Sequence, residues 1–83
     1  MPDIELSTHA KEMLEERNLL EEWVWRTITT PDSKKKRMDD GNMHYRKSIK
    51  EKGGRVLHVV INQNVHPYRI VTVFFDRRFG KTR

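Results

Sequence analysis

His58 interrupts a nearly continuous apolar run, "RVLHVVI", and strand alternation puts it on the same side as Val56 and Val60. A histidine there has two readings. It is a hydrogen-bonded core residue, or, because imidazole titrates near neutrality, a general acid or base. The other residues able to do chemistry are cations. Arg46, Lys47, Lys50, Arg55 and Arg69 are spread over three strand-like stretches, and Arg77 and Arg78 follow the last of them. Lys34, Lys35, Lys36 and Arg37 form the densest charge in the chain. Side chains on neighbouring antiparallel strands lie close together, so cations sharing a face can converge on one phosphate. Alternation restricts that convergence, because Arg46 points away from Lys47 and Arg55 away from His58. The plainer alternatives are a solvated sheet face, and lysines that keep an outer strand from pairing edge to edge.

Metal chemistry finds little footing. His9, His44, His58 and His66 show neither i, i+4 nor close-pair spacing, and without cysteine there is neither a thiolate ligand nor a disulfide framework. No metal or cofactor is expected. His9 stands at a helix start, where the positive end of the dipole disfavours imidazolium. Arg17, in the last turn of the same helix, gains from the negative end and can lay its stem over apolar neighbours. Both read as structural trim, with a surface shared with the basic strands left open.

These side chains must be held by a small scaffold. Eighty-three residues allow one domain, 1–83, which buries roughly 60% of the surface its unfolded chain exposes. Apolar and charged residues each make up 35%, so the fold depends on how the apolar ones are spaced. The net charge of +5 is unevenly distributed: residues 1–30 carry three basic and seven acidic side chains, residues 31–83 fourteen and five. A polyanion would therefore bind the carboxy-terminal part. The amino terminus, "MPDIELSTHA", has no basic segment leading into an apolar one, and no run approaches the ~20 apolar residues of a membrane span. A soluble, unexported, cytoplasmic protein is expected.

Ile4 and Leu6 alternate with polar neighbours, as in a very short strand or extended arm. Ser7 or Thr8 caps a first helix, about residues 7–18, with Ala10, Met13, Leu14 and Arg17 on one face. Asn18 tolerates the left-handed conformation that ends helices, and Leu19 can staple against Val24 of a second helix, about residues 20–30. Its stripe is Leu20, Val24, Thr27 and Ile28. Trp23 and Trp25 fall on opposite flanks, so at most one is central to the core. Pro31 closes the helix. Four strands follow, at about residues 33–38, 43–50, 55–62 and 68–76, separated by "DDGN", "EKGG" and "NQNVHP". An antiparallel meander is the simplest topology. In the second strand Met43, Tyr45, Lys47 and Ile49 share one face, and His44, Arg46, Ser48 and Lys50 the other. The last two strands are apolar on both faces and form the centre of the sheet.

The string "STHAKEMLEERNLLEEWVWRTITTPD", followed by a basic region, "DDGN" and two apolar strands ending in "RIVTVFF", resembles the domain-of-unknown-function 4258 family. That family is similar to the BrnT-type and RelE-type toxins of bacterial toxin–antitoxin systems. The resemblance is carried by His9-Ala10, Glu16-Arg17, Val24, Pro31-Asp32 and the "IVTV" strand. The chain departs from the usual pattern at Asn18, where glycine is common, and at Leu20, where a serine or threonine cap is common. No tyrosine follows the last strand, unlike RelE. The resemblance implies an α+β fold, with two N-terminal helices packed on one face of a roughly four-stranded antiparallel sheet.

It also implies a metal-independent endoribonuclease, akin to an mRNA interferase, in which a ribose 2′-hydroxyl attacks the adjacent phosphate. The residues implied are His58 or Lys47 as acid or base, Arg46 and Arg55 as phosphate clamps, and Arg77 as a further clamp. Arg78, Lys34, Lys35, Lys36 and Arg37 would extend the RNA-binding surface. The partners implied are RNA, including ribosome-bound mRNA, and an acidic antitoxin masking the basic face. Two alternatives remain. One is a non-catalytic module binding nucleic acid or protein through the same face. The other is a protein-binding module centred on Trp23 or Trp25.

Overall fold

The computed structural model describes residues 3–77. Its elements are β1 (Ile4–Leu6), α1 (Thr8–Glu16), α2 (Glu21–Thr29), β2 (Ser33–Lys36), β3 (Met43–Ile49), a 3-10 turn (Lys50–Lys52), β4 (Arg55–Asn62) and β5 (Tyr68–Phe75). The class is α+β, and the strand boundaries fall close to those expected from the sequence. The sheet is not a four-stranded antiparallel one. It has five strands in the order β1-β5-β4-β3-β2, and β1 runs parallel to β5, with Ile4 opposite Tyr68 and Leu6 opposite Ile70. The short arm at the amino terminus thus becomes an edge strand. Its partner lies more than sixty residues away, and three residues carry too little pattern to announce such a pairing.

Local chemistry explains both helices. Ser7 Oγ accepts from the Ala10 backbone N–H at 3.0 Å, satisfying one donor that the first turn leaves open. At the other end Asn18 adopts φ 54°, the Leu19 N–H reaches the Leu14 carbonyl at 2.9 Å and the Asn18 N–H reaches Glu15 at 3.4 Å. These are the paired bonds of a Schellman turn, and the buried Leu14 and Leu19 are its apolar contact. The turn redirects two side chains. Leu19 enters the core, whereas Leu20, expected on the core stripe, is 53% exposed as the N-cap of α2. Arg17 becomes the exposed C-cap of α1 instead of lying on its buried face, and His9 is also exposed.

In α2, Trp23, Val24, Thr27 and Ile28 are buried, and the Thr27 hydroxyl is satisfied by donating to the Trp23 carbonyl at 2.8 Å. Trp25 lies on the flank, its indole N–H donating to Glu21 at 2.9 Å. Trp23, Val24 and Ile28 join Ala10 and Leu14 in one cluster with Tyr45, Ile49, Leu57, Val59, Ile61, Ile70 and Val73.

β4 is the central strand, and its register with β5 shifts between Val60 and Ile61: Val60 lies opposite Thr72, Ile61 opposite Ile70. Val71 is the extra residue. Three positions apart on a regular strand, Ile70 and Val73 would face opposite sides, and the bulge turns both into the helix-side core at 0% exposure. The second face of β4, carrying Val56, His58 and Val60, is also buried. Among the described residues no helix is long and apolar enough to cross a membrane.

Candidate functional site

On β3 and β4, Arg46 lies directly opposite His58, and His44 opposite Val60. His44 is therefore the diagonal neighbour of His58, a separation that two imidazoles can bridge. His44 Nδ1 and His58 Nε2 are 2.7 Å apart. On the other side His58 pairs with Phe74 of β5, whose ring stacks on the imidazole at 4.7 Å, and Asp76 follows two residues on. The Asp76 N–H continues the ladder to the Val56 carbonyl at 2.8 Å, and its Oδ2 lies 2.9 Å from His58 Nδ1. At the far end Asp40 Oδ2 is 3.0 Å from His44 Nε2. Four side chains, Asp40, His44, His58 and Asp76, thus form a hydrogen-bonded line running diagonally across three strands.

The line is closed at one end and open at the other. His58 and Asp76 are almost wholly buried, whereas the Asp40 side chain is 40% exposed. Asp40 is held by the β2–β3 turn, where Gly41 supplies φ +71° and the Asn42 N–H donates to Asp40 Oδ1 at 2.9 Å. That backbone bond, and then His44, hold the Asp40 carboxyl below its usual range, so it is ionised and accepts from His44. Burial lowers the His58 pKa, and the Asp76 hydrogen bond opposes the shift only in part.

Three contacts along a line of two carboxyl groups and two imidazoles need three protons, one more than two neutral rings carry. Burial disfavours a charge on His58, so the shared protons leave that ring neutral. Of its two ring nitrogens, one then donates and the other accepts, linking His44 to Asp76.

Beside the open end lies a groove of about 710 Å³ lined by Lys35, Lys36, Arg37, Met38, Asp39 and Arg46. Lys35 is the cross-strand partner of His44. Arg46 reaches Ser33 Oγ with its Nη1 at 3.4 Å, and Arg37 forms a paired contact with Asp39 at 3.1 and 2.8 Å. Among the described residues no group of three or more His, Asp or Glu is arranged to hold a metal ion.

Of the residues singled out by sequence, the fold brings together His58, Arg46, Lys35, Lys36 and Arg37. Lys47 is directed elsewhere: on the helix side of β3 its ammonium donates to the Thr30 carbonyl at 2.8 Å and lies 3.6 Å from Asp32, tying the end of α2 to the sheet. Arg55 lies over the Phe75 ring at 4.7 Å, away from His58, and Lys34 over Tyr45 at 6.0 Å, also on the helix side. Arg77 is exposed just past Asp76, and Arg78 lies outside the described residues. Sequence reasoning missed His44, Asp40 and Asp76. The available signal was that His44 shares a face with Arg46, and only the register between β3 and β4 adds His58 to that face.

The model of a family described as a domain of unknown function (DUF4258) matches residues 6–75. No curated protein and no solved structure matches the chain.

Proposed function

The chain belongs to the DUF4258 family, and on that footing we propose that it acts on RNA as a toxin-like, metal-independent endoribonuclease whose reacting end is His44. One observation carries the reading: the basic groove adjoins the open end of a line able to hold one extra proton. The groove cations would bind the phosphodiester backbone, with Lys35 and Arg46 nearest the scissile phosphate. As the 2′-oxygen bonds to phosphorus and the bond to the 5′-oxygen breaks, these cations stabilise the charge on the phosphoryl oxygens. His44 gives its proton to the departing 5′-oxygen, and the Asp40 carboxylate, turned from His44, takes the one from the 2′-hydroxyl.

His58 and Asp76 do not touch substrate in this reading; they fix the ring and tautomer of His44, as an orienting carboxylate does in other imidazole-based sites. A toxin of the RelE or BrnT type would meet mRNA in the cytoplasm, and an acidic antitoxin partner would complement the groove. Incubation with single-stranded RNA in excess chelator tests the reading: cyclic-phosphate ends from the native protein, and their loss in His44→Gln, are expected.

A second reading is a non-catalytic RNA-binding module. It is favoured by the burial of His44, which is 7% exposed with both ring nitrogens engaged. It predicts intact RNA and binding that weakens steeply with salt.

A further inference from the structure

On the helix side of the sheet, away from the histidine line, a pocket of about 370 Å³ opens beyond the carboxy-terminal end of α2. Its walls include Ile28, Pro31 and the rings of Tyr45 and Tyr68, with Gln63 and Lys34 at its polar rim. Nothing in the cleavage reading uses these residues. We propose that this pocket is a nucleotide subsite that takes a nucleobase between its aromatic and apolar walls and leaves the phosphate against Lys34.

Three features select that chemistry. A lining that includes two tyrosines beside Ile28 and Pro31 suits a planar heterocycle, because every base presents a π-face for stacking. The Gln63 amide offers a donor and an acceptor side by side, which matches the hydrogen-bonding edge of a base. Among the described residues no hydrogen bond holds that amide or either phenol oxygen. Burial, and then the neighbouring Tyr68, push the Tyr45 phenol up, so it remains a protonated donor. The third feature is charge. Lys34 is held 6.0 Å from the Tyr45 ring centre at the mouth of the pocket, where its ammonium can meet the anionic end of a ligand. The volume falls within the ~300–1,000 Å³ typical of small-ligand pockets.

The subsite does not depend on RNA cleavage, and the test separates the two. The full chain is titrated with adenosine, guanosine, cytidine and uridine, with their 5′-monophosphates and with inorganic phosphate, while nuclear magnetic resonance follows the Gln63 side-chain amide and the Tyr68 backbone amide. At least one nucleoside is expected to shift both signals, and its monophosphate to bind more tightly. Gln63→Ala, in a loop outside the core, is expected to weaken binding about 3- to 10-fold. Lys34→Ala should remove the advantage of the monophosphate over the nucleoside.

His44→Gln, which disables the proposed cleavage, should leave nucleotide binding unchanged. An oligoribonucleotide that binds tighter than its mononucleotide assigns the pocket to RNA, and equal affinity assigns it to a free nucleotide. The proposal is overturned if no nucleoside or monophosphate shifts Gln63 and Tyr68, or if inorganic phosphate alone reproduces the shifts.

Discussion

His44 Nδ1 and His58 Nε2 meet at 2.7 Å across two antiparallel strands, and this contact divides the histidine line into an outer half that reaches solvent through Asp40 and an inner half that does not. The outer half can exchange protons with a ligand. The inner half can only orient it. In the proposed reading, chemistry at this face therefore depends on His44, and His58, the more conspicuous histidine in the sequence, acts through its neighbour.

If His58 is an orienting residue, its removal costs stability as well as function. His58→Ala deletes a ring packed on Phe74 and takes a hydrogen bond from each of His44 and Asp76. Urea denaturation should show a loss of about 3 kcal/mol. A double-mutant cycle with Asp76→Ala should give a coupling of about 1 kcal/mol or more, as expected for groups in one buried network.

The same residue sets a pH dependence. An imidazole held below its ordinary value binds fewer protons folded than unfolded, so stability rises with pH across the interval between the two values. The His58 contribution is complete above about pH 6.5, the unfolded value, and is lost as pH falls toward the depressed folded value. Melting temperatures between pH 5 and 8 should fall on the acid side, and His58→Asn should flatten that slope.

A separate acid limb belongs to Glu51. Arg26 donates to both of its carboxylate oxygens at 2.9 Å and, first among the causes, lowers the Glu51 pKa to about 2. A depressed carboxylate contributes stability above its unfolded value, and that contribution is lost as pH falls toward the folded one. Glu51→Gln should therefore remove stability at neutral pH and make the acid limb below about pH 4.5 shallower.

Lys47 separates the basic residues proposed to bind RNA from one that holds the fold. Because its ammonium holds the Thr30 carbonyl, Lys47→Met should destabilise the protein by about 1 kcal/mol while leaving RNA binding and cleavage at native levels. Lys35→Ala and Arg46→Ala should do the reverse. Each should lower the slope of log affinity against log salt by ~0.7, the value for one phosphate contact on a single strand.

Most of the scaffold could be read from local signals. The Ser7 cap, the Asn18 turn, Pro31 and Gly41 each act within a few residues, so the helices and hairpins they delimit appear in the sequence. The β1–β5 pairing and the Val71 bulge depend on contacts between distant segments and leave no comparable mark. The site divides the same way. Arg46 and His58 were legible as types on strands, but the line through Asp40, His44 and Asp76 exists only because one register makes His44 diagonal to His58. Lys47 looked equivalent to Arg46 by charge, and a single step of strand alternation sends it to the opposite face.

The central claim is that His44 is the reacting group, and the most direct measurement compares native protein, His44→Gln and Lys47→Met on single-stranded RNA and on translating ribosomes, in excess chelator, with the fragment ends identified. The account predicts cyclic-phosphate ends from the native and Lys47→Met proteins and none from a folded His44→Gln variant. Intact RNA in both settings with the native protein, or native-level cleavage by His44→Gln, would contradict it.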